Sequence, residues 1–320
     1  MTQNLKTVSS LKGRDFLTLA AFSNDEIDTF LKQAFDLKQL QKKGEPHACL
    51  SGQTLAMIFE KSSTRTRVSF EVGMYQLGGS ALFLSSRDIQ LGRGEPIADT
   101  AKVLSRYVDG IMIRTFAHEK VEAFAESADI PVINGLTDTH HPTQVLADLL
   151  TVYEHKGQLK GLKACFIGDG YNNMAHSLLE GAAAVGMDLA VASPKGYEPD
   201  QDILAAAEKR AEGNGCKVGF TYSPQEAAEG ADIVITDVWA SMGEEAEKEK
   251  RLRDFQGFEV NESLTGLAKE DYIFLHCLPA HRGEEVAASV IDGPHSVVFD
   301  EAENRLHAHK AILKCLMEKN

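Results

Sequence analysis

The chain has 320 residues, of which 43% are hydrophobic and 25% are charged, so it is long enough for two globular domains of ordinary size. Its formal net charge of −14 opposes binding to nucleic acid or to an anionic membrane, and no apolar run reaches the roughly 18–20 residues that would span a bilayer. The five cysteines are odd in number, scattered and without a CxxC pair, which is typical of reduced thiols in the cytoplasm.

Short apolar runs alternate with helical stretches from about residue 50 to residue 300. Between Ile97 and Val108, for example, apolar residues recur at i, i+4, i+7 and i+11, the spacing of one helix face. Steady alternation of strands and helices predicts parallel sheets with helices on both faces. The predicted strands are Thr54–Phe59, Ser80–Leu84, Gly110–Ile113, Val132–Asn134, Lys163–Gly168, Asp188–Ala192, Lys217–Tyr222, Ile233–Thr236, Tyr272–His276 and Val297–Phe299.

The pattern divides near residue 150 and predicts an α/β protein with two doubly wound parallel-sheet domains joined by helices. We expect one domain at residues 1–150 and the other at residues 151–304, with a helix at about 305–320 packing back on the first. The polar, glycine-flanked stretch Glu154–Gly161 is the predicted joint between them.

The first motif that indicates chemistry is Phe59–Arg67 (FEKSSTRTR), at a strand-to-helix junction. The unpaired backbone N–H groups and the dipole at a helix start favour an anion. Hydroxyl groups and the guanidinium of Arg65 could add donors to a phosphate. The alternative interpretation is ordinary Ser/Thr capping beside solvated arginines, since the stretch has no glycine-rich Walker pattern.

Arg114 and His141 follow two further predicted strands, at the carboxyl ends where open α/β sheets bind their ligands. Pro142 keeps His141 extended and outside the helix that follows. Taken singly, Arg114 is more simply a surface charge and His141 a residue at a helix entry. Together with Arg65 they indicate one anion site at a sheet edge.

The second half of the chain offers Asp237 and Cys277, which also follow predicted strands. Asp237 could bind an amine, or it could cap the strand end. Cys277 could be a partly exposed thiol, or an inert small hydrophobic residue. The charged run at residues 244–253 is most simply a solvated helix, and with few apolar anchors the segment from Asp237 to about residue 256 is predicted to order as a lid only when both ligand sites are filled.

Four stretches are similar to signature segments of the transcarbamoylases, in matching order and spacing: FEKSSTRTRVSFE, INGLTDTHHPTQ, DVWASMG and FLHCLPAHRGEE. The last two resemble the ornithine branch rather than the aspartate branch. The resemblance implies transfer of the carbamoyl group of carbamoyl phosphate to the δ-amine of L-ornithine, giving L-citrulline and phosphate without a metal or cofactor. It also implies a homotrimer with active sites shared between subunits. We expect the chain in the cytoplasm, from its cysteines, and in arginine biosynthesis rather than breakdown.

The resemblance further implies roles for individual residues. Gln90 would reach into a neighbouring subunit's site, the Leu278–Pro279 bond would be cis, and Asp237 and Cys277 both remain candidates for taking the amine proton. The implied carbamoyl phosphate residues are Ser63, Thr64, Arg65, Thr66, Gln90, Arg114, His141, Gln144 and Arg305. The implied ornithine residues are Asn173, Asp237, Ser241, Met242, Cys277 and Leu278. The implied catalytic residues are Arg65, His141, Asp237, Cys277 and Arg305.

Other functions fit the sequence less well. An NAD-dependent dehydrogenase is suggested by Phe166–Gly170, but the full GxGxxG and an acidic residue after the next strand are missing. A metal at His307 and His309 is disfavoured because side chains at i and i+2 of a helix diverge. Putrescine as the acceptor and a non-catalytic, anion-binding regulatory protein remain open alternatives.

Overall fold

The structure is a computed structural model, and it describes residues 10–90, 94–240 and 247–319. These residues form two compact units. The first takes the residues up to Leu150 and those from Glu303 onward, and the second runs from Thr151 to Ala302. The divisions fall inside two long helices rather than at the predicted joint, because the helix there continues to Lys156. No helix of the described ranges has the length and apolar character needed to span a membrane.

The first unit is built on a parallel sheet with the strand order β2-β1-β3-β4. Strands β1 and β3 and the edge strand β4 are mostly apolar and buried, as expected for a parallel sheet covered on both faces, whereas the other edge strand, β2, is partly exposed. Its strands are β1 (Thr54–Phe59), β2 (Ser80–Ser85), β3 (Gly110–Arg114) and β4 (Val132–Leu136), and its first four helices are α1 (Asn24–Lys42), α2 (Thr64–Gln76), α3 (Ile97–Leu104) and α4 (His118–Ser127).

The second unit holds a five-stranded parallel sheet with the order β7-β6-β5-β8-β9. The predicted α/β fold with two doubly wound parallel sheets is confirmed. After α5 (Pro142–Lys156), the strands are β5 (Lys163–Ile167), β6 (Asp188–Ala192), β7 (Val218–Thr221), β8 (Ile233–Thr236) and β9 (Ile273–His276). The helices are α6 (Asn173–Val185), α7 (Gln201–Asn214), α8 (Pro224–Ala228), α9 (Lys248–Asp254), α10 (Glu262–Thr265) and α11 (Ala288–Ile291), followed by α12 (Val298–Met317).

Each sheet has one point where the strand order reverses: between β1 and β3 in the first unit, and between β5 and β8 in the second. Loops that leave neighbouring strands there diverge to opposite faces and open a crevice, which is where α/β sheets bind ligands. The predicted site residues after β1 and β3, and those after β5 and β8, therefore lie at the two most favourable positions of the fold.

The predicted tenth strand, Val297–Phe299, is wrong. The backbone N–H of Val297 does bond to the carbonyl of Phe274 at 3.0 Å, but the chain then enters α12 at Val298. Two acidic residues in the first turn, Asp300 and Glu301, favour a helix start at this point. The apolar run is thus one bridge to β9 followed by a helix entry.

The charged run after residue 244 is not simply solvated. Arg251 in α9 is buried, and Phe255 directly after this helix is fully buried. The later part of the predicted lid is therefore anchored in the second unit by side chains that the composition did not single out. Residues 241–246 lie outside the described residues, and ordering on ligand binding stays a prediction.

The last helix, α12, packs closely on α2. A Cβ on Gly73 would lie 3.3 Å from Cγ of Lys310, so a larger residue there would press on this side chain. The buried ammonium of Lys310 donates to the side-chain oxygens of Gln41 and Gln76 at 2.9 Å and lies 2.9 Å from Nε2 of His47. Burial lowers the pKa of Lys310 to about 8.

Candidate active site

The amino end of α2 carries the hydroxyl-rich motif of the first unit. Ser63 is the N-cap, and its Oγ accepts a hydrogen bond from the N–H of Thr66 at 3.1 Å. The capping interpretation is therefore correct for Ser63. Thr64 is exposed and Arg65 partly exposed in the first turn, where backbone N–H groups lack helical acceptors. This helix end can accept an anion in addition to being capped.

Two buried arginines from distant parts of the chain converge on Thr66. Arg114, at the end of β3, lies 3.5 Å from Oγ1 of Thr66, and Arg305, in α12, donates to the same oxygen at 2.7 Å. All three residues are buried. Because a hydroxyl oxygen has two lone pairs, Thr66 can accept from both guanidinium groups and hold them side by side.

His141 is buried beside this cationic group. Burial is the main cause that lowers the pKa of His141 well below its ordinary value, and Arg305, Arg114, His309 and Arg65 add to it. The imidazole is therefore neutral at physiological pH and can donate one hydrogen bond without adding charge. Gln144 follows in the first turn of α5, where its Nε2 donates to Oδ1 of Asp148 at 2.9 Å and thereby fixes the amide.

A second layer behind α2 was not predicted. Oγ of Ser69 donates to the carbonyl of Arg65 at 2.6 Å and lies 2.8 Å from Nδ1 of His309. The ring of His309 stacks on Phe70 with centroids 3.9 Å apart. No local sequence pattern indicates this contact, because Ser69 and His309 are 240 residues apart in the chain.

In the second unit, Asp237 and Cys277 meet at the ends of β8 and β9. The thiol of Cys277 donates to Oδ1 of Asp237 at 3.1 Å, and the N–H of Val238 donates to the same oxygen at 2.8 Å. Burial raises the pKa of Asp237 above its ordinary value, although His276 and these hydrogen bonds act in the opposite direction. A buried carboxylate of this kind accepts a proton more readily than an exposed one.

The turn after Cys277 is held by a buried pair. Leu278 has a φ of 56°, in the left-handed region that side chains disfavour, and the predicted cis bond between Leu278 and Pro279 is confirmed. The N–H of Leu278 donates to Nδ1 of His276 at 2.9 Å, and Nε2 of His276 lies 3.2 Å from Oε1 of Glu285. Burial tends to raise the pKa of Glu285, but hydrogen bonds from His276 and from the backbone of His281 hold it below its ordinary value.

The remaining predicted site residues are Asn173, Gln90, Ser241 and Met242. Asn172 caps α6 by accepting from the N–H of Ala175 at 2.8 Å, which leaves Asn173 as the partly exposed asparagine at the helix start. Gln90 is exposed after β2. Ser241 and Met242 lie outside the described residues.

One group of donor atoms near Cys277 is compact enough for a metal. Side-chain atoms of Asp237, His276 and Cys277 lie within 4.8 Å of one another. Both nitrogens of His276 are already engaged by Leu278 and Glu285, so binding a metal would break one of these contacts. The geometry fits an organised proton acceptor better than a metal centre.

Comparisons with known proteins give one family model for each half of the chain. The model of the aspartate/ornithine carbamoyltransferase carbamoyl-P binding domain matches residues 14–154, and that of the Asp/Orn binding domain matches residues 160–316. The chain belongs to the aspartate/ornithine carbamoyltransferase family. The family predicted from the motifs is confirmed.

The similar relatives carry the name of the ornithine branch. Ornithine carbamoyltransferase of Carboxydothermus hydrogenoformans is 61% identical, over 97% of this chain and 99% of that protein. The protein of the same name from Anoxybacillus flavithermus is 62% identical, over 98% of this chain and 100% of that protein. The structure of ornithine carbamoyltransferase from Pyrococcus furiosus is 55% identical with a TM-score of 0.93, covering 96% of this chain and 98% of that chain.

The raised pKa of Asp237 predicts a stabilising substitution. The carboxyl group of Asp237 keeps its proton to a higher pH in the folded chain than in the unfolded chain, where its ordinary pKa is 3.8. Ionised Asp237 therefore lowers the free energy of unfolding at neutral pH. We expect Asp237→Asn to raise the urea-unfolding midpoint at pH 7, and the gain to shrink as the pH falls towards 4. Asp271→Asn is the control, since its hydrogen bond to Lys156 lowers the pKa of Asp271 and its loss should not stabilise. A lower midpoint for Asp237→Asn at pH 7 would contradict the prediction.

Proposed function

We propose that the chain transfers the carbamoyl group of carbamoyl phosphate to the δ-amine of L-ornithine, giving L-citrulline and phosphate. The observation that carries the proposal is the match of each unit to one substrate. The first unit places Arg114 and Arg305 on Thr66 at a helix start, which suits a phosphate. The second places Cys277 on buried Asp237, which suits an amine. Relatives that match nearly the whole chain carry the name ornithine carbamoyltransferase.

The first unit would bind and polarise carbamoyl phosphate. Its phosphate would lie at the start of α2, against Ser63, Thr64, Arg65, Thr66 and Arg114, and Arg305 would point at the carbamoyl group. Neutral His141 and the Arg65 fork would donate to the carbamoyl oxygen, and Gln144 would bind the amide. As the amine nitrogen bonds to the carbonyl carbon, negative charge grows on that oxygen and then leaves with the phosphate as the C–O bond breaks. Donors fixed in advance at these atoms lower the barrier.

The second unit would prepare the amine. A lysine-like amine must lose a proton before it can attack, which costs about 4.6 kcal/mol at pH 7, whereas holding the reactants together can contribute about 7–11 kcal/mol. Asp237 is the proposed final acceptor, because the Cys277 thiol already donates to it and its pKa is raised by burial. Asn173, Ser241, Met242 and Leu278 would bind the rest of ornithine.

The proposal is tested by a colorimetric assay for the ureido group of the product, with ornithine, putrescine and aspartate as acceptors in parallel reactions. Of the three acceptors, we expect rapid product formation only with ornithine, because DVWASMG resembles the ornithine branch of the family. Faster product formation with putrescine would identify putrescine, and not ornithine, as the acceptor. Phosphate binding without any carbamoylated product would support the regulatory alternative.

Arg65 should not be replaceable by lysine. Lysine keeps the charge but loses the planar fork that can bind phosphate and carbonyl oxygen together, so Arg65→Lys is expected to lower kcat at least about a hundredfold. Arg106→Lys, the same change at an exposed arginine of the first unit, should leave kcat unaltered. Near-normal turnover of Arg65→Lys would remove Arg65 from the site.

We propose arginine biosynthesis in the cytoplasm as the setting. The structure described as anabolic ornithine carbamoyltransferase from Campylobacter jejuni is 46% identical, with a TM-score of 0.88, and supports the direction of synthesis. The five cysteines, all within the described residues, form no disulfide, which fits a reducing compartment.

A homotrimer is the proposed assembly. The edge strand β2 exposes Leu82 and Phe83 at 50% and 40%, and neighbouring Val68 in α2 at 50%. An apolar edge of this kind invites pairing with another chain unless it is covered. Gln90 follows β2 and could extend from such an interface into the site of the neighbouring subunit.

Mixing two inactive variants tests this arrangement. If each site takes Arg65 from one subunit and Gln90 from the next, random reassembly of an equimolar mixture of Arg65→Lys and Gln90→Ala chains should restore about a quarter of all sites. Light scattering should give about three times the chain mass of 34.9 kDa. The control is a mixture of Arg65→Lys and Arg114→Lys chains. Because both residues are proposed to belong to the same subunit's site, no combination of these two chains should restore a site. No recovery with Gln90→Ala would place both residues in the same subunit's site or exclude Gln90.

A further inference from the structure

One guanidinium group fastens α9 to two loops of the second unit. Nη1 of Arg251 lies 2.5 Å from Oδ2 of Asp169 and 2.9 Å from the carbonyl oxygen of Trp239. The side chains of Arg251 and Asp169 are only 9% and 6% exposed. Breaking such a buried pair by removing one partner leaves an uncompensated charge, so the contact is strongly maintained.

The two loops that Arg251 joins carry residues proposed to bind ornithine. Asp169 lies in the loop that leads from β5 to Asn173, the first residue of α6, whereas Trp239 follows Asp237 at the end of β8. Because β5 and β8 are neighbours where the strand order reverses, their loops diverge. A side chain that binds both sets the separation between Asn173 and Asp237.

Neither loop can shift easily by itself. The N–H of Tyr171 donates to Oδ1 of Asp169 at 2.9 Å, and a Cβ on Gly170 would lie 2.7 Å from the carbonyl oxygen of Tyr197. Trp239 stacks on Phe255, directly after α9, with ring centroids 5.4 Å apart. The Arg251 contact thus connects two tightly packed segments.

We propose that Arg251 is a positioning residue for ornithine, holding the Asn173 loop and the Asp237 loop at a fixed separation. The inference rests on the proposed function and extends it to a residue that the ornithine contacts do not include. Substitution of Arg251 should therefore weaken the binding of ornithine and leave that of carbamoyl phosphate unchanged, because the proposed carbamoyl phosphate residues belong to the first unit.

The test is Arg251→Met in the full chain. We expect the KM for ornithine to rise at least about tenfold, while the KM for carbamoyl phosphate stays within about twofold of wild type. Arg251→Lys keeps the charge and a donor, so its KM for ornithine should lie between those of wild type and Arg251→Met. It is the second variant if Arg251→Met fails to fold. Arg282→Met is the matched control, since Arg282 makes an exposed fork of 2.8 and 2.6 Å with Asp292 in the same unit.

Fluorescence supplies a readout that does not depend on turnover. Trp239 is the chain's only tryptophan and is 7% exposed. Without substrates, the emission of Trp239 should shift to longer wavelength in Arg251→Met and should not shift in Arg282→Met. An unchanged ornithine KM, or an equal rise in both KM values, in a folded chain would overturn the proposal. Failure of the proposed function would instead appear as a wild type that forms no citrulline, and the emission shift would then decide whether Arg251 fixes the Asp237 loop.

Discussion

Positive charge concentrated at the amino end of α2 is the constraint on which the first unit depends. Arg114 and Arg305 approach the same buried hydroxyl of Thr66, where the helix dipole is also positive. Such an arrangement is unfavourable until an anion enters, and the surrounding groups limit the repulsion. Burial and the nearby arginines keep His141 neutral, and the pKa of His309 is also held well below its ordinary value. The site is thus built at some expense of stability, as sites for charged ligands commonly are.

The second unit concentrates the opposite charge. Asp237 and Glu285 are buried close to His276, and the two carboxyl groups differ in proton affinity, because burial dominates for Asp237 and hydrogen bonds dominate for Glu285. The fold therefore separates cation and carboxylate chemistry into two units, each at the strand-order reversal of its own sheet. This separation suits a reaction between an anionic donor and a cationic acceptor.

The sequence predicted the parts of the molecule that depend on local pattern. Apolar runs such as the one in Asp188–Ala192 predicted the strands, and strand ends such as those before Asp237 and Cys277 indicated the candidate site residues. It failed where a long-range contact decides the outcome. The run before Phe299 has the composition of a strand, yet one bridge to β9 and two acidic residues start a helix. Arg251 could not be separated from its charged neighbours, because its partner Asp169 lies far away in the chain.

The position of α12 has a consequence for synthesis on the ribosome. This helix brings Arg305, His309 and Lys310 to the first unit, yet it is translated after the whole second unit. Until it emerges, the face of α2 around Phe70 and Gly73 has no cover from this helix. The nascent first unit must remain incomplete while the second folds, and a stalled or proteolysed chain that ends before residue 298 would expose apolar surface that quality-control proteases and chaperones recognise.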